Sequence, residues 1–366
     1  MQRIILTTGG TGGHIFPALA VAEELRSRYP DCRILFVGGE QGPEGRLAAR
    51  AGLEFAALPV KGVLGRGWKS LPAMLGMCRG LMKCARIMKS FVPQAVLGFG
   101  GYAGFLPVLL ARWKKIPCAV HEQNKQPGVT NKILGRRVDR VFLTYPDQEG
   151  LFDPDKVRIT GNPVRRSLLG LRDMQKHYLH NTSGHLLILG GSQGAQAIND
   201  QVLKALPYFK SVGLKLMHIT GPADLERVRQ AYAEQGCDPE QAVAFQEDMA
   251  QAYAWADLVV CRAGASTLAE LTVVGRPSIL IPFPYATHGH QLDNARYLEK
   301  QGAAIVLEQS YLEDISLGSV VSDLMLLPQK LQQMGQAAKS LGRPGAGAMI
   351  VDEIQNMLPG QQGTGV

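Results

Sequence analysis

The chain starts the same way twice. Residues 3–25, RIILTTGGTGGHIFPALAVAEEL, read as strand, glycine turn and helix; residues 185–206, HLLILGGSQGAQAINDQVLKAL, repeat that order. After each start, short apolar runs alternate with helical patterns. In the first half these are RILFVGG, AVLGFG, PCAVHEQ, RVFLTY and VRITGNP. In the second they are KLMHITG, AVAFQEDM, LVVCRAG, PSILIPFP and AAIVLEQ. This βαβ rhythm predicts an α/β chain with two Rossmann-like, doubly wound parallel sheets. The polar, poorly patterned stretch NPVRRSLLGLRDMQKHYLHNTSG between the halves puts the boundary near residue 163 and divides the chain into residues 1–163 and 164–340; residues 341–366 are expected to form a helix and tail that packs back on the first domain. Two such domains facing across a cleft would bring ligand to their switch points, outside the carboxyl ends of the strands.

Composition narrows the class. With 46% hydrophobic and 19% charged residues the chain can bury an ordinary globular core. The opening MQRIILTTGG carries no secretory pattern. The cysteines at 32, 78, 84, 118, 237 and 261 form no CxxC pair and read as free thiols. Residues 90–111 are uncharged, but their prolines and glycines read as buried strand, loop and helix, not a membrane span.

Charge is unevenly divided. Residues 1–161 hold 23 lysines and arginines against 12 acids; residues 162–366 hold 16 against 19. The first half would therefore be drawn to an anionic partner. Only 7% of residues are aromatic and no basic run is interleaved with them, which argues against nucleic acid.

The glycine stretches carry the chemistry. Gly9-Gly10-Thr11-Gly12-Gly13 ends in His14, Gly98 to Gly101 follows another strand, and Gly190 to Gly194 heads the second half. Backbone N–H groups at a helix start suit phosphate. A dinucleotide site would want an acid after the second strand, and Glu40 stands there, but the G-x-G-x-x-G spacing is incomplete. A Walker lysine is absent. In CRAGASTLAE, residues 261–270, Ser266 and Thr267 offer hydroxyls. Glu270 is either a ribose ligand or a helix-start acid worth about 0.3–1 kcal/mol. HEQN (121–124) and HGHQLDNA (288–295) place further polar groups after strands. A metal site at Asp153-Pro154-Asp155 lacks convergent oxygen ligands.

Taken together, GGTGGHIFPALAVA, GFGGYAGFLP, HEQN, TGNPVR, GGSQGA and CRAGASTLAE resemble the MurG family of peptidoglycan N-acetylglucosaminyltransferases, in glycosyltransferase family 28. The resemblance covers nearly the whole chain in order and implies the GT-B fold. It implies inverting transfer of N-acetylglucosamine from UDP-N-acetylglucosamine to lipid I, giving lipid II, with no cofactor and no essential metal. The rivals are a related GT-B enzyme with another lipid acceptor, an NAD-dependent oxidoreductase and a catalytically silent membrane scaffold that retains the nucleotide site. Residue by residue, Thr11, Gly12 and Gly13 would lie beside the donor and acceptor phosphates. Asn124, Arg165 and Ser192 would contact the donor, and the backbone at Gln246 would read uracil. Ala265, Ser266, Thr267, Leu268, Ala269 and Glu270 would wrap the nucleotide, with Glu270 on the ribose, and Gln291 would reach the sugar hydroxyls. The stretch YATHGHQLDNA is one residue longer than the family's. His14 would be the general base; an ordinary imidazole titrates near pH 6.5, which suits the task.

The family works at the cytoplasmic face of the plasma membrane, with cell-wall synthesis and division proteins as partners. That agrees with the basic first half. Between residues 64 and 93 there are six basic residues and no acid. Met74, Met77, Leu81, Cys84, Met88 and Phe91 form one helical stripe, with Arg79, Lys83 and Arg86 on the other side. The expectation is a helix lying apolar side down on an anionic membrane surface, with Trp113 of ARWKK beside it.

Overall fold

The computed structural model describes residues 1–10, 12–60, 71–174, 176, 184–191, 194–286 and 289–359, with the backbone alone at 71–75. Thr11, Ser192, the side chain of Met74 and the tail beyond Pro359 lie outside the described residues. The chain divides into two compact units. One is Met1–Arg166 with the segment from Arg343 onward, the other Ser167–Gly342.

The first unit is built on β1 (Arg3–Thr7), β2 (Arg33–Gly39), β3 (Glu54–Leu58), β4 (Ala95–Gly98), β5 (Cys118–Glu122), β6 (Arg140–Leu143) and β7 (Val157–Ile159). These lie in the order β3-β2-β1-β4-β5-β6-β7, every pairing parallel. Ile4, Ile5 and Leu6 of β1 are all fully buried, as a strand covered on both faces requires. The helices between the strands are α1 (Gly12–Arg28), α2 (Glu44–Arg50), α3 (Leu71–Phe91), α4 (Tyr102–Trp113) and α5 (Val129–Gly135). The short α6 (Arg166–Leu169) follows. Residues 90–111, uncharged and glycine-broken, are the end of α3, β4 and most of α4. Among the described residues no helix is long and apolar enough to cross a membrane. The strand β3, EFAAL, was not foreseen. It is short, and only its last residue, Leu58, is buried, so its apolar signal is faint.

The second unit contains β8 (His185–Leu189), β9 (Lys215–Ile219), β10 (Ala242–Val243), β11 (Leu258–Cys261), β12 (Ser278–Leu280) and β13 (Ala304–Val306), ordered β10-β9-β8-β11-β12-β13 and again wholly parallel. Its helices are α7 (Gln196–Ser211), α8 (Leu225–Glu234), α9 (Met249–Trp255), α10 (Ala265–Val274), α11 (His290–Lys300), α12 (Leu317–Met325) and α13 (Pro328–Leu341). In both sheets the first strand has its successor on one side and the fourth on the other. The switch points are therefore β1/β4 and β8/β11.

The last helix, α14 (Ala346–Met357), returns to the first unit. Ile350, Val351, Ile354 and Leu358 enter the same core as Ile4, Leu6, Ala18 and Leu25. Asp352 pairs with Arg28, and Glu353 meets Arg140 at 3.1 Å and Arg158 at 3.4 Å. Such part-exposed pairs contribute about 0–1 kcal/mol each. Burying an aliphatic side chain contributes about 1.5–3 kcal/mol, so the apolar stripe holds α14 in place.

The stripe on α3 also turns inward. Cys84, Met88 and Phe91 are buried against the sheet, with Met77 and Leu81 packed beside them. This corrects the expectation of a helix lying apolar side down on lipid, because the apolar side is already used by the protein's own core. Lys83 is drawn to Glu40, 3.1 Å away. The outer face of α3 keeps exposed Arg79, Arg86, Lys89 and Met82, and α4 ends in exposed Trp113.

Candidate functional site

At the first switch point the strands end level: Thr7 of β1 is in register with Val37 of β2 and Gly98 of β4. The following loops therefore leave the sheet side by side and are tied together. The Gly9 N–H donates to Gly100 O at 3.1 Å, and the Phe99 N–H to Thr7 O at 2.8 Å. Gly101, at φ +76, lies so close to Gly9 that a Cβ there would overlap the Gly9 carbonyl. Gly100 leaves room for His14: a Cβ on it would stand 3.2 Å from His14 Cδ2 and 3.3 Å from Nε2. His14 thus sits in the first turn of α1, with its ring against the β4–α4 loop.

The HEQN stretch divides by role. His121 and Glu122 end β5 and are buried with Gln123. His121 Nε2 lies 3.0 Å from Gly161 O, which can only accept, so that nitrogen carries the proton. Nδ1 then accepts from the Gln123 amide at 3.1 Å. Burial pushes the His121 pKa down to about 4, with the nearby charge of His14 acting the same way. His121 is a neutral brace, not a base. The Glu122 carboxylate accepts from the N–H groups of Asn124 and Gly128, each at 3.0 Å, and from Asn131 Nδ2 at 2.9 Å. It shapes the loop and sets Asn124, the half-buried member of the four, at its turn. Asn131 Nδ2 would lie 3.5 Å from a Cβ on Gly100, so it stands on the same side of Gly100 as the His14 ring. Arg165 stacks its guanidinium over Phe16 of α1, 5.3 Å from the ring centroid. The structure thus gathers Gly12, Gly13, His14 and Arg165 around the start of α1, with Asn124 linked through Glu122 and Asn131.

The second unit repeats the arrangement. Leu189, Ile219 and Cys261 end in register. Gly190 packs on Ala195 N, and Gly194, at φ +79, rests on the Thr220 carbonyl. Beneath this turn His218 bridges Asn199 Oδ1 at 3.0 Å and Tyr232 Oη at 3.1 Å. Asn199 Nδ2 donates onward to Thr220 O and Asp224. The helices α7 and α10 start at Ala195 and Gly264 without a capping side chain from those residues. Their first N–H groups and dipoles favour an anion such as a pyrophosphate.

Glu270 lies on α10, 8% exposed, and accepts from the buried Tyr253 hydroxyl at 3.0 Å. Ser266, Thr267 and Ala269 are half-buried, whereas Ala265 and Leu268 are buried, so the Leu268 side chain serves the core. Gln246 is half-buried in the turn between β10 and α9. Gln291 opens α11 and accepts from the Phe283 N–H at 3.0 Å, while Asn294 is fully buried.

Sequence reasoning missed Tyr253 and Arg262. Arg262 donates to Ile281 O, Pro282 O and Gln309, and lies over Phe283; burial pulls its pKa down to about 10. It ties the β11–α10 turn to the segment before Gln291. Its place directly after a strand, at the head of the GAS turn, was the only sequence signal. Cys261 is no nucleophile, since burial pushes its thiol up to about 12. The six cysteines are free. Among the described residues no cluster of histidine, cysteine and acid could hold a metal. Asp153 accepts from the Asp155 N–H within its own turn. Glu40, the acid a dinucleotide site would use, is instead half-exposed and paired with Lys83.

Two buried histidines make stability pH-dependent. Burial lowers His121 to about 4 and His218 to about 3. The unfolded chain takes up protons from near pH 6.5 downward, and the folded chain does not until those lower values. Stability is therefore complete above pH 6.5 and declines as pH falls through that window. Each histidine removes about 2 kcal/mol between pH 6.5 and 5. Urea unfolding at pH 7 and pH 5 should show the loss; equal midpoints would contradict it.

Residues 4–143 match the N-terminal domain of glycosyltransferase family 28, and residues 185–347 match its C-terminal domain. The chain is 51% identical to a protein of Nitratidesulfovibrio vulgaris over 98% of both chains. That relative is named UDP-N-acetylglucosamine–N-acetylmuramyl-(pentapeptide) pyrophosphoryl-undecaprenol N-acetylglucosamine transferase. A protein of the same name from Solidesulfovibrio magneticus is also 51% identical, over 98% of this chain and 97% of its own. Among solved structures, MurG of Acinetobacter baumannii superposes with a TM-score of 0.76 at 31% identity, covering 97% of this chain and all of that one. Those matches span both parallel sheets and their switch-point loops, and on them the chain belongs to glycosyltransferase family 28.

Proposed function

We propose that the chain transfers N-acetylglucosamine from UDP-N-acetylglucosamine to the C4 hydroxyl of the muramyl sugar of lipid I, forming lipid II for peptidoglycan. The observation that carries the mechanism is the place of His14, in the first turn of α1 with its ring against Gly100. The substrates rest on the relatives named for them, at 51% identity over 98% of the chain.

In this reading His14 takes the proton from the C4 hydroxyl as that oxygen attacks the anomeric carbon. The bond from that carbon to the pyrophosphate oxygen breaks on the opposite face, the electron pair leaves with UDP, and configuration inverts. The second unit holds the donor: Glu270, braced by Tyr253, takes the ribose, Gln246 lies by the uracil, and Gln291 reaches the sugar. The N-termini of α7 and α10 stabilise the departing pyrophosphate without a metal. Arg165, Asn124, Gly12 and Gly13 flank the phosphates.

The test is UDP release from UDP-N-acetylglucosamine, with and without a lipid I analogue, in EDTA. Acceptor-dependent release undiminished by EDTA is expected. No release with the acceptor present, or release abolished by EDTA, would overturn the reading.

A lipid-linked acceptor calls for work at a membrane surface, which in this reading is the cytoplasmic face. The outer face of α3, with Arg79, Met82, Arg86 and Lys89, and exposed Trp113 followed by Lys114 and Lys115, supplies the contact. Sedimentation with anionic liposomes should fall as salt rises; binding indifferent to lipid charge and salt would remove this part.

A further inference from the structure

Glu44 is the first residue of α2, far in sequence from the glycine turn, and only 1% exposed. Its Oε1 accepts from the Gly10 N–H at 2.9 Å. The room for it is cut by glycines. A Cβ on Gly38 would meet Glu44 Cβ at 2.7 Å and Cγ at 2.9 Å, and a Cβ on Gly42 would overlap Oε2. The run GGEQGPE thus closes over a carboxylate and delivers it to one backbone amide.

That amide sits at a demanding place. Gly10 has φ +101, with open space where a side chain would be, so the backbone conformation and not packing demands glycine there. Gly9 is held on its other side by Gly100. Four residues beyond Gly10 stands His14. The turn is therefore clamped between β4's loop and Glu44. We propose that Glu44 is a positioning residue: through the Gly10 amide it fixes the β1–α1 turn, and so sets where Gly12, Gly13 and His14 meet the acceptor. A carboxylate needs stronger reason than packing to be buried, since desolvation disfavours it, and a hydrogen bond to an otherwise strained turn supplies that reason. This inference rests on the proposed role of His14 for its kinetic consequence but not for its structural one.

The test compares Glu44→Gln with Glu44→Ala. Gln keeps the accepting oxygen and the shape, so it should hold kcat near wild type. Ala should lower kcat about 10²-fold, the loss expected from misplacing a reacting group by an ångström. Its KM for UDP-N-acetylglucosamine should rise far less than kcat falls, because the proposed ribose, uracil and sugar ligands Glu270, Gln246 and Gln291 belong to the second unit. Backbone amide exchange over residues 9–13, read without substrate, should lose protection in Glu44→Ala and keep it in Glu44→Gln. If Gln proves as damaging as Ala, the charge acts in the chemistry and the positioning role is wrong. Unchanged exchange in Glu44→Ala also overturns it. So does a loss of kcat, donor binding and melting temperature together. If wild type shows no transfer while exchange responds as stated, the functional reading fails and the clamp stands.

Discussion

Replacing His14 with alanine is expected to lower turnover about 10²–10⁴-fold, the usual contribution of a positioned general base. UDP-N-acetylglucosamine binding should change little. The physical reason is the proposed division of labour: His14 lies at the β1/β4 switch point of the first unit, while Glu270, Gln246 and Gln291, the residues proposed to hold the donor, belong to the second unit. Loss of an interaction made only as the acceptor oxygen gives up its proton lowers kcat and kcat/KM together. Isothermal titration with UDP beside steady-state kinetics separates the two effects. Equal losses in donor affinity and turnover would show that His14 is a ligand and not the base.

The second large effect should come from Gly101→Ala. Gly101 has φ +76 and ψ +169, a region only glycine occupies freely, and occupying it with alanine costs on the order of 1–3 kcal/mol. The steric term is larger. The overlapping group is the Gly9 carbonyl, and backbone cannot swing aside as the end of a side chain can. Relief requires the β1 and β4 loops to part, which breaks the Gly9–Gly100 hydrogen bond and moves Gly100 away from His14. Activity should fall about 10²-fold or more, for the reason that small misplacements of reacting groups cost that much. Gly10→Ala is the comparison. It carries a positive φ but meets no atom within 4 Å, so it should be the milder lesion. Melting temperatures and kcat for both variants decide the matter, and a Gly101→Ala enzyme within twofold of wild type would refute the close-packing account.

Much of the architecture was legible because it is written in short range. The alternation of apolar runs with helical periods marks βαβ units wherever strands are buried on both faces. A glycine cluster after a strand marks a turn too tight for side chains. That logic found β1, β2, β4 and β5, the turn before α7, and the stretch that became α10. It failed at β3, whose residues are mostly half-exposed. It also failed at the stripe on α3, because periodicity shows that a helix has an apolar side and not what covers it.

The two parallel-sheet halves, their glycine turns and the segments from which a site could be assembled are readable from residue order, since each depends on neighbours within a few residues. Tertiary structure alone decided what those residues do. Order β3-β2-β1-β4 sets the loops of β1 and β4 side by side and so brings His14 to Gly100. Burial makes His121 a neutral brace and leaves Asn124 at the loop's turn. Tyr253 reaches Glu270 across 17 residues, and Glu44 reaches Gly10 across 34. Helix α14 closes the first unit from the far end of the chain. Burial, pairing and charge at these positions come from contacts between residues distant in sequence, and no local pattern encodes which distant partner a side chain will meet.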